Sequence, residues 1–461
     1  MMFEQWIHRK VRQAFEEDAG YRRFRGTDSL DEGTRRDIQS LQLYRLKQTL
    51  NYAAANSPFY RDLLEASAEI ESLEDLPRIP FTNPLDLEQS PYKLLCTSIG
   101  GIARTFSHFT TGTMSGRPKK IFFTYNDADA IVDSMAAIME TVTSGAGFEA
   151  EGSKIHIFLP ANGPPMSMAG LISRGAKQLG AVPIVGDCTA MTGEQIAQVA
   201  EEKPHLLMGS AFRIWRLTQE ARETHDLANM GVKAVLITSE YLSRPMRQQL
   251  EHCWGAEVFH HYGMTEPGFA IGVECSAHDG FHFNETQLLF EVVDPDTGQL
   301  LEDGEEGELV FTTLQRDGMP LIRYRTGDVA CLKREPCGCG AETLTRIGTL
   351  PKRVGLILDI GEGEQIYTSL FDEALYQIPE LIDYRVFISR DGDIDLMNCM
   401  VEVLGKPPDI EERVLKEALT IPAVRKSVEA GLLAQPTVEL VERGVLRRGG
   451  RRMKRRIVDQ R

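Results

Sequence analysis

KAVLITSE (residues 233–240) and AEVFHHYG (residues 256–263) decide the fold of this chain. Each is a short apolar, β-branched run bounded by polar residues, the signature of a buried strand. Upstream the same unit recurs with helices between: IFFTY at 121–125, a helix after Asn126, KIHIFLP at 154–160, a helix ending near Gly180, AVPIVG at 181–186, a helix near 193–202, and HLLMGS at 205–210. Strand and helix in alternation imply a doubly wound α/β sheet. Both opening runs carry chemically useful residues at their carboxyl ends, the edge at which open α/β sheets bind ligands.

Outside this block the pattern changes. Residues 1–100 read as mainly helical, with Leu41, Tyr44, Leu46, Leu50 and Tyr52 near helical spacing, and DLPRIPFTNP at 75–84 makes a connecting segment. Residues 280–350 read as β-rich: FHFNETQLLFEVV, a DPDTGQ turn, GELVFTT and DVACL. Residues 351–461 alternate helix candidates near 369–377 and 411–419 with strand candidates YRVFIS and TVELVE. The expected architecture is a large N-terminal doubly wound α/β domain with a β-rich subdomain, residues 1–350, and a small C-terminal α+β lid domain, residues 351–461.

Over 461 residues the chain is 42% hydrophobic and 26% charged, the balance of an ordinary globular protein. Its 67 acidic against 51 basic residues give a net charge of −16, which argues against a nucleic-acid-binding body. MMFEQWIHRKVRQAFEED at the amino end lacks an uninterrupted apolar core, so neither a signal peptide nor a membrane anchor is expected there. The eight cysteines are sparse except between 275 and 339, which is no disulfide framework and points to a reducing, cytoplasmic setting.

That cluster has metal-ligand spacing. Cys275 and His278 form a CxxH pair and Cys337 and Cys339 a CxC pair, a set suited to a structural, tetrahedral Zn²⁺. His282 or Cys331 could stand in for one ligand, and reduced, partly buried thiols would have the same spacing.

The loop FTTGTMSGRPKK, residues 109–120, has the composition of a phosphate cradle. Glycines let backbone N–H groups converge on an anion, hydroxyls add donors, and lysine adds mobile positive charge. It lacks the GxxxxGK[ST] spacing of P-loop nucleotidases, and a solvated polar turn shares its composition.

Read together, LYRLKQTLNYAAANSPFYRDLL (43–64), TTGTMSGRPKK (110–120), SEYLSRPMRQQLEHCWGAEVFHHYGMTEPG (239–268), and LIRYRTGDVACL (321–332) followed by TRIG (345–348) resemble the adenylate-forming superfamily. Within it, the chain is similar to the phenylacetate-CoA ligase branch. The resemblance implies an ATP-dependent acid–CoA ligase acting on an aromatic or arylacetic acid through an acyl-adenylate, with AMP displaced by coenzyme A.

It also implies roles for individual residues. Thr110, Thr111, Gly112, Thr113, Ser115, Gly116 and Lys119 would hold the β- and γ-phosphates. Ser239, Glu240 and Tyr241 would line the adenine. His261, Tyr262, Gly263, Met264 and Thr265 would meet the nucleotide, with Thr265 on the α-phosphate and Glu266 on Mg²⁺. Asp328 would accept both ribose hydroxyls, with Arg346 beside it. Lys454 would bridge carboxylate and α-phosphate oxygens, which makes Lys454, Thr265 and Glu266 the catalytic set.

The chain departs from the family at three places. Met114 lengthens the phosphate loop, TLPKRVG replaces the usual hinge after Gly348, and no glycine precedes Lys454, so that Arg452 or Arg455 competes with it. His260 and His261 alternate on their strand, so one approaches the acyl pocket or both are hydrogen-bonded core histidines. The expected partners are a small carboxylic acid and coenzyme A, with no nucleic acid and no membrane; a homodimer is left open. Rival readings are an adenylyltransferase with a non-CoA acceptor and a non-catalytic nucleotide-binding relative.

Overall fold

The computed structural model describes residues 2–27, 29–30, 33–65, 70–108, 118–159, 163–187, 190–405, 407–446 and 457–461. They form two compact units: Met1–Val185 with Phe259–Thr349, and Gly186–Val258 with Leu350–Arg461. Each mixes helices and sheets, as the alternation of strand and helix periods predicts. No helix among the described residues is long and apolar enough to cross a membrane.

The first unit opens with helices Met2–Glu17, Ala19–Arg25, Arg35–Asn56 and Pro58–Leu64. Its longest later helix, Tyr125–Gly145, starts where Thr124 and Asp127 each bond the other's backbone N–H, a reciprocal cap. Ile131, Met135, Ile138, Met139 and Val142 then recur at helical spacing and are buried. Each such side chain contributes about 1.5–3 kcal/mol by leaving water. Asp127 is itself buried because its carboxylate also accepts the N–H groups of Asp317 (2.9 Å) and Gly318 (3.0 Å).

The β-rich reading of 280–350 is met by a meander of Leu288–Val293, Gly307–Thr313 and Tyr324–Ala330, all antiparallel. Every residue of the middle strand is buried, as expected of a strand covered on both faces. A second antiparallel ladder runs in the order Glu257–Tyr262, Gly272–Val273, Phe281–Phe283, Arg346–Ile347, Leu332–Lys333. A hairpin of Arg104–His108 and Lys119–Phe123 flanks the phosphate-loop sequence.

In the second unit, Leu206–Ser210 and Ala234–Thr238 pair in parallel, as their buried apolar runs predict. The helix Arg244–Trp254 ends at Gly255 in the left-handed region (φ 61°), and its Pro245, Met246, Leu250 and Trp254 are buried. The Trp254 indole donates to Thr218 Oγ1 at 2.8 Å. The carboxyl-terminal sheet has the order Thr437–Val441, Ile394–Val403, Leu381–Asp391, Ile457–Asp459, with an antiparallel central pair and parallel outer strands. Trp215 of the helix Ala211–Ala221 donates to Leu381 O at 3.0 Å, and Arg216 pairs with the fully buried Glu402 at 2.6 Å.

Candidate active site and metal centre

The strand Glu257–Tyr262 delivers the YGMTE sequence into a tight turn, closed by bonds from Gly268 N to Thr265 O (3.1 Å) and from Phe269 N to Met264 O (2.8 Å). Gly263 has no alternative there: an added Cβ would lie 2.2 Å from Phe269 O and 2.6 Å from His261 Cε1. The turn buries Glu266 to 2% exposure.

A buried carboxylate needs partners. Lys119 Nζ lies 3.2 Å from Glu266 Oε1, the Tyr324 hydroxyl donates to the same oxygen at 3.1 Å, and Lys119 also donates to Tyr324 at 3.1 Å. Arg316, a buried guanidinium over the Phe123 ring (4.5 Å), donates to the Glu266 carbonyl at 3.2 and 3.4 Å. Desolvation pulls the Arg316 pKa below its usual value. Thus three side chains from separate segments of the first unit converge on one residue of the turn.

Asp328 stands on the strand Tyr324–Ala330 next to Gly327 (φ +75°), whose N–H donates to Glu308 at 2.9 Å. Its carboxylate accepts the Tyr262 hydroxyl at 2.8 Å. This joins two motif residues expected at the nucleotide, and it turns the Tyr262 hydroxyl toward the carboxylate. The buried Arg346 guanidinium is taken up by Asp279 (2.5 Å) and Glu335 (2.9 Å), while Tyr262 meets Asp328.

In the second unit, Ser239 takes up a left-handed conformation (φ 71°). Glu240 then turns back to accept the Phe212 N–H at 2.8 Å, satisfying an otherwise free donor in the first turn of Ala211–Ala221. Tyr241 donates to Glu373 at 2.9 Å, and burial first, then that carboxylate, raises its pKa. Thr110, Thr111, Gly112, Thr113, Ser115, Gly116 and Lys454 lie outside the described residues.

The cysteine cluster assembles with one substitution. Ligand atoms of Cys275, His282, Cys337 and Cys339 all lie within 4.8 Å of one another, with Cys275 and Cys337 sulfurs 3.6 Å apart and Cys339 Sγ 3.3 Å from His282 Nε2. His278, the expected fourth member, is outside it. Its backbone is left-handed (φ 49°) and its Nδ1 sits 3.3 Å from Glu274. His282 enters because strand pairing sets it opposite Val273 on one side and Arg346 on the other. Hydrogen bonds from Cys275 and then His282 bring the Cys339 thiol down to about 3. Burial opposes protonation of His282, but contacts with Cys337 and Cys339 outweigh it and raise it to about 9. Three sulfurs and one imidazole with ligand atoms within 4.8 Å of one another fit a tetrahedral zinc ion.

Comparison with known proteins sets these residues in a family. Residues 108–315 match the AMP-binding enzyme family, and residues 363–461 match the C-terminal domain of AMP-binding enzymes. The phenylacetate-coenzyme A ligase of Thermus thermophilus is 33% identical over 381 residues, covering 80% of this chain and 82% of that protein. The chain belongs to the AMP-binding, adenylate-forming enzymes, on their phenylacetate-CoA ligase-like branch. The phenylacetate-coenzyme A ligase of Aromatoleum evansii is 30% identical over 407 residues, covering 85% and 88%. Among solved structures, 2-hydroxyisobutyryl-CoA ligase in the postadenylation state with 2-HIB-AMP superposes with a TM-score of 0.76 at 25% identity, covering 92% of this chain and 90% of that one.

For this adenylate-forming chain, the motifs named Glu266, Lys119 and Asp328 but not what holds them. Tyr324 stands inside the quoted LIRYRTGD run, yet only its hydroxyl geometry singles it out. Arg316 lies in no motif, and a lone arginine between two strands gives no sequence signal.

Proposed function

We propose that this chain ligates an aromatic or arylacetic acid to coenzyme A. Its class is that of its family: an AMP-forming, ATP-dependent acid–CoA ligase working through an acyl-adenylate. A carboxylate oxygen attacks the α-phosphorus of ATP and pyrophosphate leaves. The thiol sulfur of coenzyme A then attacks the acyl carbon, its proton is lost, and AMP leaves. Relatives named phenylacetate-coenzyme A ligase support the arylacetic reading.

The observation that carries the catalytic assignment is the buried Lys119–Tyr324–Glu266 contact at the end of the YGMTE turn. Glu266 fits Mg²⁺: its carboxylate is an oxygen ligand beside the sequence expected to hold the phosphates, and the ion would offset phosphate charge. Thr265, one residue earlier in the same turn and half-buried, takes the α-phosphate in this reading. Asp328 presents its carboxylate for the ribose hydroxyls, with Tyr262 fixing its orientation. Lys454 supplies the mobile charge that draws substrate carboxylate and α-phosphate together.

The test is a pyrophosphate-release screen over aryl, arylacetic, short-chain and hydroxy acids, with and without coenzyme A. Acid-dependent pyrophosphate release followed by CoA-dependent AMP release is expected. Pyrophosphate release with no CoA-dependent AMP release points to another acceptor, and nucleotide binding with neither points to a non-catalytic relative.

Cys275, His282, Cys337 and Cys339 hold a structural zinc in this reading, since four protein ligands leave no open coordination position. Elemental analysis of purified protein is expected to give about one zinc per chain. Cys337→Ser is expected to lose the metal and several degrees of melting temperature, because binding free energy at such a site is folding free energy. Metal-free protein of unchanged melting temperature would remove the assignment.

A further inference from the structure

Arg316 is the buried guanidinium that the roles above leave without a task. Other buried arginines are matched by acids: Arg323 meets Glu291 at 2.9 Å and Arg216 meets Glu402 at 2.6 Å. Arg316 has no ion pair among the described residues. Asp127 is the acid whose charge it feels, and that carboxylate is already taken by the N–H groups of Thr124, Asp317 and Gly318. The guanidinium instead directs two N–H groups at one backbone oxygen, that of Glu266. A neutral donor would satisfy a carbonyl, so a buried cation at this position calls for a further reason.

The backbone on both sides of the contact is held in the left-handed region. Gln315, directly before Arg316, has φ 61°; Phe269, which closes the turn after Glu266, has φ 69°, with Gly268 at φ 111°. In non-glycine residues such conformations persist only where surrounding contacts over-determine them, and they cluster at working sites. Those contacts are present. Thr49 Oγ1 accepts the Gln315 N–H at 3.2 Å, the Tyr52 hydroxyl donates to Asp317 O at 2.9 Å, and Asp127 takes the next two N–H groups. Phe269 is wedged edge-on against Phe106, with ring centroids 4.8 Å apart. Loop and turn are thus fixed separately, and Arg316 joins them. Its contact is directional: a held Glu266 carbonyl fixes the peptide from which the carboxylate projects, while Lys119 and Tyr324 hold the carboxylate itself. Lys119 and Phe123 share one face of their strand, so one strand supports both contacts.

We propose that Arg316 is a positioning residue for adenylation: by holding the Glu266 carbonyl it aims the Glu266 carboxylate at the Mg²⁺ that accompanies the nucleotide. This rests on the acid–CoA ligase reading and on the assignment of Mg²⁺ to Glu266.

The experiment compares wild type, Arg316→Met and Arg316→Lys. Calorimetry with a non-reactive ATP analogue is run with and without Mg²⁺: Arg316→Met is expected to bind about tenfold more weakly with the metal and within about threefold of wild type without it. Acid-dependent pyrophosphate release should fall about 10²-fold, the scale of a misplaced catalytic group, and Arg316→Lys should recover part of the loss. Thioester formation from supplied acyl-adenylate, which has no β- or γ-phosphate for the metal to bridge, should stay within about threefold. In a Glu266→Gln background, Arg316→Met should lower adenylation by less than about threefold more, because a residue acting through Glu266 has nothing left to aim. Equal losses in both half-reactions, a loss of nucleotide affinity that ignores Mg²⁺, a full 10²-fold loss in the Glu266→Gln background, or wild-type behaviour of Arg316→Met each overturns the inference while the ligase reading stands. Should Arg316→Met fail to fold, Arg316→Lys is judged by the same four criteria, with about a tenfold loss expected in adenylation alone. Wild-type activity in Glu266→Gln removes the metal assignment and this inference together, and no pyrophosphate release by wild type from any acid removes the ligase reading as well.

Discussion

Glu266→Gln is expected to lower acid-dependent pyrophosphate release by about three orders of magnitude, a loss of roughly 4 kcal/mol of transition-state stabilisation. The amide keeps the shape but carries no charge for Mg²⁺. It also leaves Lys119, 6% exposed, facing Tyr324 without its counter-ion. Breaking a buried pair from one side destabilises by about 3–5 kcal/mol, and here the low end is expected because Tyr324 still accepts from Lys119.

The two effects separate. The double substitution Lys119→Met with Glu266→Gln should recover most of the melting temperature and none of the activity, since the stranded charge is gone but the metal ligand is still missing. Tyr324→Phe removes only the shared hydroxyl and should cost about tenfold, with a higher Mg²⁺ requirement for nucleotide binding measured by calorimetry with a non-reactive ATP analogue. Wild-type activity in Glu266→Gln would exclude Glu266 from the chemistry.

Lys454→Ala should split the two half-reactions. Adenylation brings an anionic acid to a polyanionic nucleotide, so loss of a lysine bridging both is expected to cost about 10²–10³-fold or more in acyl-AMP formation. Thioester formation starts from an adenylate in which that repulsion is already spent. With synthetic acyl-adenylate supplied, CoA thioester should form at near the wild-type rate. Arg452 and Arg455 are the controls: if either alanine variant reproduces the split and Lys454→Ala does not, the catalytic position shifts within the basic tail.

Much of this molecule was legible from local pattern. The parallel pairing of Leu206–Ser210 with Ala234–Thr238 follows from two short apolar runs separated by helical periodicity. The buried meander from Leu288 to Ala330 follows from β-branched alternation and a DPDTG turn, in which Asp294 accepts the Asp296 and Thr297 N–H groups. The phosphate loop and the YGMTE, RTGD and carboxyl-terminal lysine motifs identified a chemistry because each is short and contiguous.

The histidine of the cysteine cluster shows where local reading stops. CxxH spacing selected His278, the histidine nearest in sequence to Cys275. Sheet register selected His282, which pairs across Val273 and Arg346, while the turn at His278 sends that ring to Glu274. The supports of Glu266 are equally non-local: Lys119 lies 147 residues away, Tyr324 58 and Arg316 50.

By itself the sequence determined the α/β class, the family and the identity of the groups that carry charge, because hydrophobic period and motif spacing act over a few residues. Only the tertiary structure decided which groups meet: Tyr324 between Lys119 and Glu266, Tyr262 on Asp328, and Arg346 on Asp279 and Glu335. A side chain's neighbours depend on strand register and on chain closure over tens to hundreds of residues, and a one-residue shift of register turns every side chain to the other face.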